Sequence, residues 1–91
     1  MQKENHHIEF KSSFNDAVIE TVSAFVNTKG GKVYIGRDDF GQPIPNFTLG
    51  KETIPKWINE IKVKTQPSII ADIEPVLIDG QEVICISVSE Y

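Results

Sequence analysis

Residues 27–41 read NTKGGKVYIGRDDFG, and this stretch decides the fold because it joins a helix end, a strand and an acidic turn. Gly30 supplies the left-handed backbone that commonly ends a helix. Residues 32–37 alternate in polarity and are rich in β-forming side chains, so they predict a strand. The Asp-Asp-Phe-Gly segment that follows is typical of a tight turn.

Upstream of this stretch, the sequence predicts one strand and one helix. Residues 8–12 alternate, with Ile8 and Phe10 on one side, which is the pattern of a half-buried strand. Residues 15–29 follow several N-cap candidates and carry apolar side chains at helical spacing, so they predict a helix. A helical crossover of this length allows the two flanking strands to pair in parallel.

Downstream of the acidic turn, the sequence predicts a loop and a second helix. Two prolines make residues 42–50 an extended loop. Residues 54–64 carry an apolar stripe at helical spacing. Trp57 lies on this stripe, so we expect it to face the core rather than to stack on a nucleic-acid base.

The last third of the chain predicts a hairpin. Residues 69–78 and 81–89 flank an Asp-Gly pair, which favours the type I′ turn of antiparallel hairpins. Pro75 predicts an edge or a bulge for the first hairpin strand. The element order is therefore β-α-β-α-β-β, an α/β (α+β) fold with two helices on a mixed sheet in two layers.

Composition limits the number of domains and the compartment. A chain of 91 residues with 40% hydrophobic content can build one core, so we expect residues 1–91 to form a single domain. Cys85 is the only cysteine, which excludes an internal disulfide and predicts a buried thiol in a reducing compartment. No apolar stretch is long enough for a membrane helix, and the N-terminus lacks the order of a secretory signal. We therefore expect a cytoplasmic protein with no membrane partner.

Net charge and motifs narrow the function classes. The formal charge of −4 argues against a general duplex-binding surface, because duplex binding usually needs a basic footprint. A local basic group remains, and we take it as the candidate nucleic-acid contact: Lys11, Lys29, Lys32 and Arg37. The sequence contains no nucleophile-elbow, phosphate-loop, dinucleotide or zinc-finger motif, which removes the most common hydrolase and nucleotide-binding classes.

Four carboxylates surround the first two predicted strands: Glu4, Glu9, Asp38 and Asp39. If these strands are neighbours, Glu9 and one aspartate can reach the same end or face of the sheet. Oxygen ligands of this kind can hold Mg²⁺ or Mn²⁺ for metal-assisted phosphodiester cleavage. The alternative is an ordinary acidic turn, in which the aspartate side chains accept hydrogen bonds from the backbone.

Three motifs together resemble the Schlafen AlbA_2 domain, the divergent AlbA-like DNA-binding domain. They are E-x-x-x-x-E-F-K at residues 4–11, S-A-F-V-N-T at residues 23–28, and G-G-K-V-Y-I-G-R-D-D-x-G at residues 30–41. The VICISV segment at residues 83–88 resembles the closing strand of the family. Arg37 departs from the family pattern, which usually has a small apolar residue there; it is compatible with an ion pair to the aspartates or with a phosphate contact.

The resemblance implies a nucleic-acid-binding module at the N-terminus of a bacterial transcriptional regulator, so that this chain is a fragment of a longer protein. In animal Schlafens the similar domain is an RNA endonuclease with three carboxylates. On this chain the first two fall on Glu4 and Glu9, and the third falls on Asp38, with Asp39 as the alternate.

Three hypotheses follow for the function. The leading one is binding of DNA or RNA through the four cations named above, which requires no cofactor. The second is a metal-dependent ribonuclease that uses Glu4, Glu9 and Asp38 with Mg²⁺ or Mn²⁺. The third is a structural or oligomerising module, for example a homodimer. In this hypothesis the strand at residues 81–89 or the edge near Pro75 pairs with another chain.

Overall fold

A computed structural model of the chain describes residues 8–38, 40–42, 44 and 53–90. The elements follow the predicted order: β1 (Ile8–Lys11), α1 (Asp16–Val26), β2 (Gly31–Ile35), α2 (Thr53–Lys64), β3 (Asp72–Ile78) and β4 (Gln81–Val88). The predicted α/β fold is confirmed, with two helices and a mixed sheet within the described residues. The hairpin strand β3 begins at Asp72 rather than at residue 69.

The four strands form one sheet in the order β1-β2-β4-β3. β1 and β2 are parallel neighbours, as predicted, while β4 is antiparallel to both β2 and β3. β3 lies at an edge of the sheet, so the edge position predicted from Pro75 is confirmed. The prediction that residues 81–89 pair with another chain is wrong, because β4 lies between β2 and β3 and its two sides are already paired.

Helix α1 begins and ends through local side-chain and backbone hydrogen bonds. Asn15 is the N-cap, and its side chain accepts a hydrogen bond from the Ala17 backbone N–H. The helix ends at Val26 instead of continuing to residue 29 as predicted. Gly30, with φ of 80°, turns the chain so that its N–H donates to the Phe25 carbonyl at 2.7 Å.

The main core lies between the two helices and one face of the sheet, which we call the helix face. Val33 and Ile35 of β2 and Ile84 and Ile86 of β4 are fully buried there. Ile61 of α2 is also fully buried in this cluster. Side chains alternate along a strand, so these residues fix the direction of the others.

Trp57 packs on the edge of this core. Its ring stacks on Phe14, with 4.6 Å between ring centroids and 10° between planes. The stack joins α2 to the segment that precedes α1. The predicted role of Trp57 as a core residue is therefore confirmed.

The opposite side of the sheet, which we call the second face, carries the intervening residues. Phe10 of β1, Tyr34 of β2 and Cys85 of β4 lie in one row across it, because they are register partners. Cys85 is buried, as predicted. The apolar side of β1 thus points away from the helices, and Ile8 remains 38% exposed.

Candidate nucleic-acid interface

The acidic turn follows directly from the parallel pairing of β1 and β2. Beyond the last residue pair of these strands, the backbone N–H groups of Gly36 and Arg37 both donate to the Lys11 carbonyl, at 2.8 and 3.3 Å. The turn therefore begins at the carboxyl end of β1. The expectation that the first two strands lie side by side is confirmed.

Asp38 closes its own turn. Its Oδ1 atom accepts hydrogen bonds from the backbone N–H groups of Phe40 and Gln42, each at 2.9 Å. Its backbone N–H donates to the Gln42 carbonyl, and the Gly41 N–H donates to the Asp38 carbonyl. These contacts are those of the ordinary acidic turn, the alternative that the sequence left open.

Of the other three candidate carboxylates, the structure describes only Glu9. Glu9 lies in β1 in register with Val33, so alternation puts it on the helix face. Its side chain is 47% exposed, and one oxygen lies 3.9 Å from the Lys11 Nζ atom. Glu4 and Asp39 lie outside the described residues. Within the described part of the chain, no group of three or more His, Cys, Asp or Glu side chains is close enough to hold a metal ion.

Arg37 is a buried structural side chain in this structure. It is 2% exposed, and its guanidinium donates to the carbonyl of Gly41 at 2.9 Å and to that of Ile78 at 2.7 Å. Neither Asp38 nor any other acidic side chain of the described residues forms an ion pair with it. The sequence predicts that Arg37 contacts phosphates, but in the structure burial separates its guanidinium from solvent. It fastens the acidic turn to the end of β3.

The three candidate lysines do not form one cluster. Lys29 and Lys32 are exposed near the start of β2, and alternation puts Lys32 on the second face. Lys11 lies near the end of β1 on the helix face, with 26% of its side chain exposed. All three lie along the side of the sheet formed by β1 and β2, which we call the β1–β2 edge. Lys29 and Lys32 are near the start of β2, and Lys11 is at the end of β1.

Sequence reasoning missed an aromatic surface on the second face. The rings of Phe10 and Tyr34 are stacked, with 5.9 Å between centroids and 30° between planes. Gly41 lies against the Phe10 ring, since a Cβ atom added there would be 3.6 Å from it. Phe40 immediately precedes Gly41 in the chain and is 86% exposed. We call Phe10, Tyr34 and Phe40 the aromatic surface.

The environment of Tyr34 also affects its ionisation. Partial burial, followed by its charge interaction and hydrogen bond with the Cys85 thiol, raises the pKa of Tyr34 above its ordinary value. At neutral pH the phenol is protonated, as it is in an ordinary tyrosine. A neutral ring can stack without adding negative charge to this face.

A comparison with protein families covers nearly the whole chain. The Schlafen AlbA_2 family model matches residues 4–91 of the chain. The chain belongs to the Schlafen AlbA_2 family. The resemblance drawn from its motifs is thus confirmed, and the domain is related to nucleic-acid biology at the level of its family. A search of curated protein sequences finds no significant match.

Two solved structures share the fold of this AlbA_2 domain. The crystal structure of the DIP2311 protein from Corynebacterium diphtheriae aligns with a TM-score of 0.70 and 22% identity, over 99% of this chain and 22% of that one. The second is a solution NMR structure, the N-terminal domain of a RecG-related protein from Nitrosomonas europaea whose name refers to an ATP-dependent DNA helicase. It aligns with a TM-score of 0.62 and 22% identity, over 97% of this chain and 65% of that one.

The two solved structures show the fold of this domain, since their sequences are 22% identical to it. The AlbA_2 domain spans less than two thirds of either solved chain.

In the parts of the chain that the structure describes, neither helix is long and apolar enough to cross a membrane.

Proposed function

We propose that this AlbA_2 domain is a nucleic-acid-binding module, which contacts phosphates through Lys11, Lys29 and Lys32. The observation that carries the proposal is the parallel pairing of β1 and β2, because it brings the strand of Lys11 and the strand of Lys32 to one edge of the sheet. Family membership and the DNA helicase relation of the Nitrosomonas protein support it. We further propose, from the resemblance, that the module serves a bacterial transcriptional regulator.

The charge distribution sets the expected strength of binding. A domain with net charge −4 has few cations to offer phosphate groups, so its binding is weak and depends on salt. Each phosphate contact contributes a slope of about −0.7 to −0.9 in a plot of log K against log salt concentration. Three lysine contacts therefore predict a slope of about −2 to −3.

The test compares two double variants with the same change in charge. Lys29→Gln with Lys32→Gln removes two cations of the proposed interface, while Lys56→Gln with Lys62→Gln removes two exposed cations of α2. Fluorescence anisotropy with labelled hairpin RNA, duplex DNA and single-stranded DNA gives the affinity at several salt concentrations. We expect the first pair to weaken binding and to reduce the salt slope by about 1.5 more than the second pair does. Equal effects of the two pairs, or no binding by the parent, would refute the proposal.

A metal-dependent ribonuclease is the second candidate function. The adjacency of β1 and β2 supports it, because Glu9 lies on the first strand and Asp38 follows the second. In this proposal Glu4, Glu9 and Asp38 hold Mg²⁺ or Mn²⁺, with Asp39 as the alternate ligand, and the ion activates water. If the parent with Mn²⁺ leaves structured RNA intact, or if Glu9→Gln cleaves as fast as the parent, this function is excluded.

A homodimer is a further proposal for the partner of this domain. β3 lies at an edge of the sheet, and its Leu77 is 74% exposed, so a second copy has a strand with which to pair. Sedimentation equilibrium should then give a dimer for the parent and a monomer for Leu77→Lys. A parent that stays monomeric at high concentration would contradict the homodimer.

A further inference from the structure

We propose that the aromatic surface, Phe10, Tyr34 and Phe40, stacks on the bases of single-stranded nucleic acid. This inference rests on the proposed function and names its ligand as an unpaired strand rather than a duplex. Base faces are accessible only where the bases are unpaired, and aromatic side chains then stack on them with little sequence preference.

Phe40 is the residue that the fold does not explain. The turn is closed by backbone groups and by the Asp38 carboxylate, and of Phe40 it uses only the backbone N–H. With 86% of its surface exposed, the side chain gains almost nothing from burial. An exposed phenylalanine in this position has a role if a ligand covers it.

Phe10 and Tyr34 provide the fixed part of the same surface. Their rings are already stacked on one another, and both residues are held in paired strands. Gly41 lies against the Phe10 ring, so Phe40 stands at the border of this pair, one residue away along the chain. Phe40 therefore lies one residue from the backbone that covers the Phe10 ring, within reach of a ligand that occupies the second face.

Charge indicates which half of the second face a strand would occupy. Lys32 lies beside the aromatic pair on β2. Asp72 and Glu74 of β3 lie on the same face, in the rows of Lys32 and Tyr34 respectively, with β4 between them. The two carboxylates repel phosphates over β3, and Lys32 attracts them. A single-stranded nucleic acid would therefore run over β1 and β2.

The aromatic surface also accounts for how an acidic domain can bind nucleic acid. Stacking on a base is independent of net charge, and alanine substitution of a stacking residue typically weakens binding about 5- to 150-fold. A few lysines then need to supply only part of the affinity. This combination of a small basic contribution and stacking is typical of proteins that bind single strands.

The test substitutes Phe40, whose exposure makes loss of folding a minor concern. The variants are Phe40→Ala and Phe40→Trp, with Val63→Ala as a matched control for removal of an exposed apolar side chain. The probes are a labelled oligothymidylate, an oligouridylate of equal length, and an abasic deoxyribose-phosphate oligomer of equal length. Circular dichroism establishes that each variant is folded.

We expect Phe40→Ala to bind both base-containing probes at least about fivefold more weakly than the parent, while Phe40→Trp retains the parent affinity. The abasic probe should bind the parent and Phe40→Ala equally, and Val63→Ala should match the parent throughout. If Phe40→Ala binds the base-containing probes as well as the parent does, stacking is refuted. Binding that is still weakened by Lys29→Gln with Lys32→Gln would then leave the proposed function standing, whereas absence of all binding refutes both.

Discussion

Replacement of Arg37 by methionine separates a structural role from a ligand-binding role. In the structure, the guanidinium donates to two backbone carbonyls, those of Gly41 and Ile78, at 2.9 and 2.7 Å. Methionine fills a similar volume but donates no hydrogen bond. Arg37→Met therefore leaves two carbonyl oxygens without their donor, in a place that water reaches poorly.

The magnitude follows from these two contacts. A hydrogen bond from a charged donor contributes about 1.5–3 kcal/mol, so two of them give about 3–6 kcal/mol. Removing a buried charge relieves its desolvation cost, and part of the loss is recovered. We expect Arg37→Met to lower the free energy of unfolding by about 2–4 kcal/mol, out of about 5–13 kcal/mol for a domain of this length.

Urea unfolding followed by circular dichroism measures this change. The control is Lys29→Met, which removes an exposed cation and should change stability by less than about 0.5 kcal/mol. Arg37→Lys should lose less than Arg37→Met, because lysine keeps the charge and can donate to one of the carbonyls. If Arg37→Met is as stable as the Lys29→Met control and weakens only nucleic-acid binding, Arg37 contacts the ligand and the structural assignment is refuted.

Three further predictions concern single positions. Gly30→Ala should destabilise the domain more than Gly80→Ala in thermal unfolding. Both glycines have φ of 80°, so the backbone strain of the substitution is similar. A Cβ atom at Gly30 would lie 2.6 Å from the Val88 carbonyl oxygen, whereas a Cβ atom at Gly80 would meet open space. Equal losses would mean that backbone strain alone, about 1–2 kcal/mol, decides both. Because the pKa of Tyr34 is raised above 10.0, the folded state keeps a proton that the unfolded chain loses, and stability falls as pH rises past about 10. Tyr34→Phe should reduce that fall in urea unfolding; an unchanged pH profile would contradict the assignment. Asp38→Ala should lower the free energy of unfolding by about 1 kcal/mol. Asp38→Asn should restore most of this loss, because the amide oxygen still accepts both hydrogen bonds. If the asparagine variant is no more stable than the alanine variant in urea unfolding, the turn does not depend on Oδ1.

Much of the fold is local and could be predicted from the sequence. The hairpin depends on an Asp-Gly turn, and the parallel pairing of β1 and β2 depends on a helical crossover of suitable length. The end of α1 is harder to predict from the sequence. Helical periodicity extends towards Gly30, but the last carbonyls are satisfied by i→i+3 and turn hydrogen bonds that begin at residue 27.

The candidate site was harder to predict because it depends on contacts between distant residues. Because arginine is usually exposed, the sequence predicts an exposed Arg37, whereas its acceptor Ile78 lies 41 residues away along the chain. The stack of Phe10 on Tyr34 depends on the register of two parallel strands, which alternation does not give. Alternation did separate Phe10 from Glu9, but it could not show that the helices cover the side of Glu9.

The most direct test of the account is a map of the amide chemical-shift changes that a short single-stranded oligonucleotide causes in the labelled domain. We expect the largest changes in β1 (Ile8–Lys11), β2 (Gly31–Ile35) and the turn that follows β2, with α1 and α2 little affected. Changes confined to the outer surfaces of the helices, or no changes at concentrations near the expected weak affinity, would contradict binding at the β1–β2 edge and the aromatic surface.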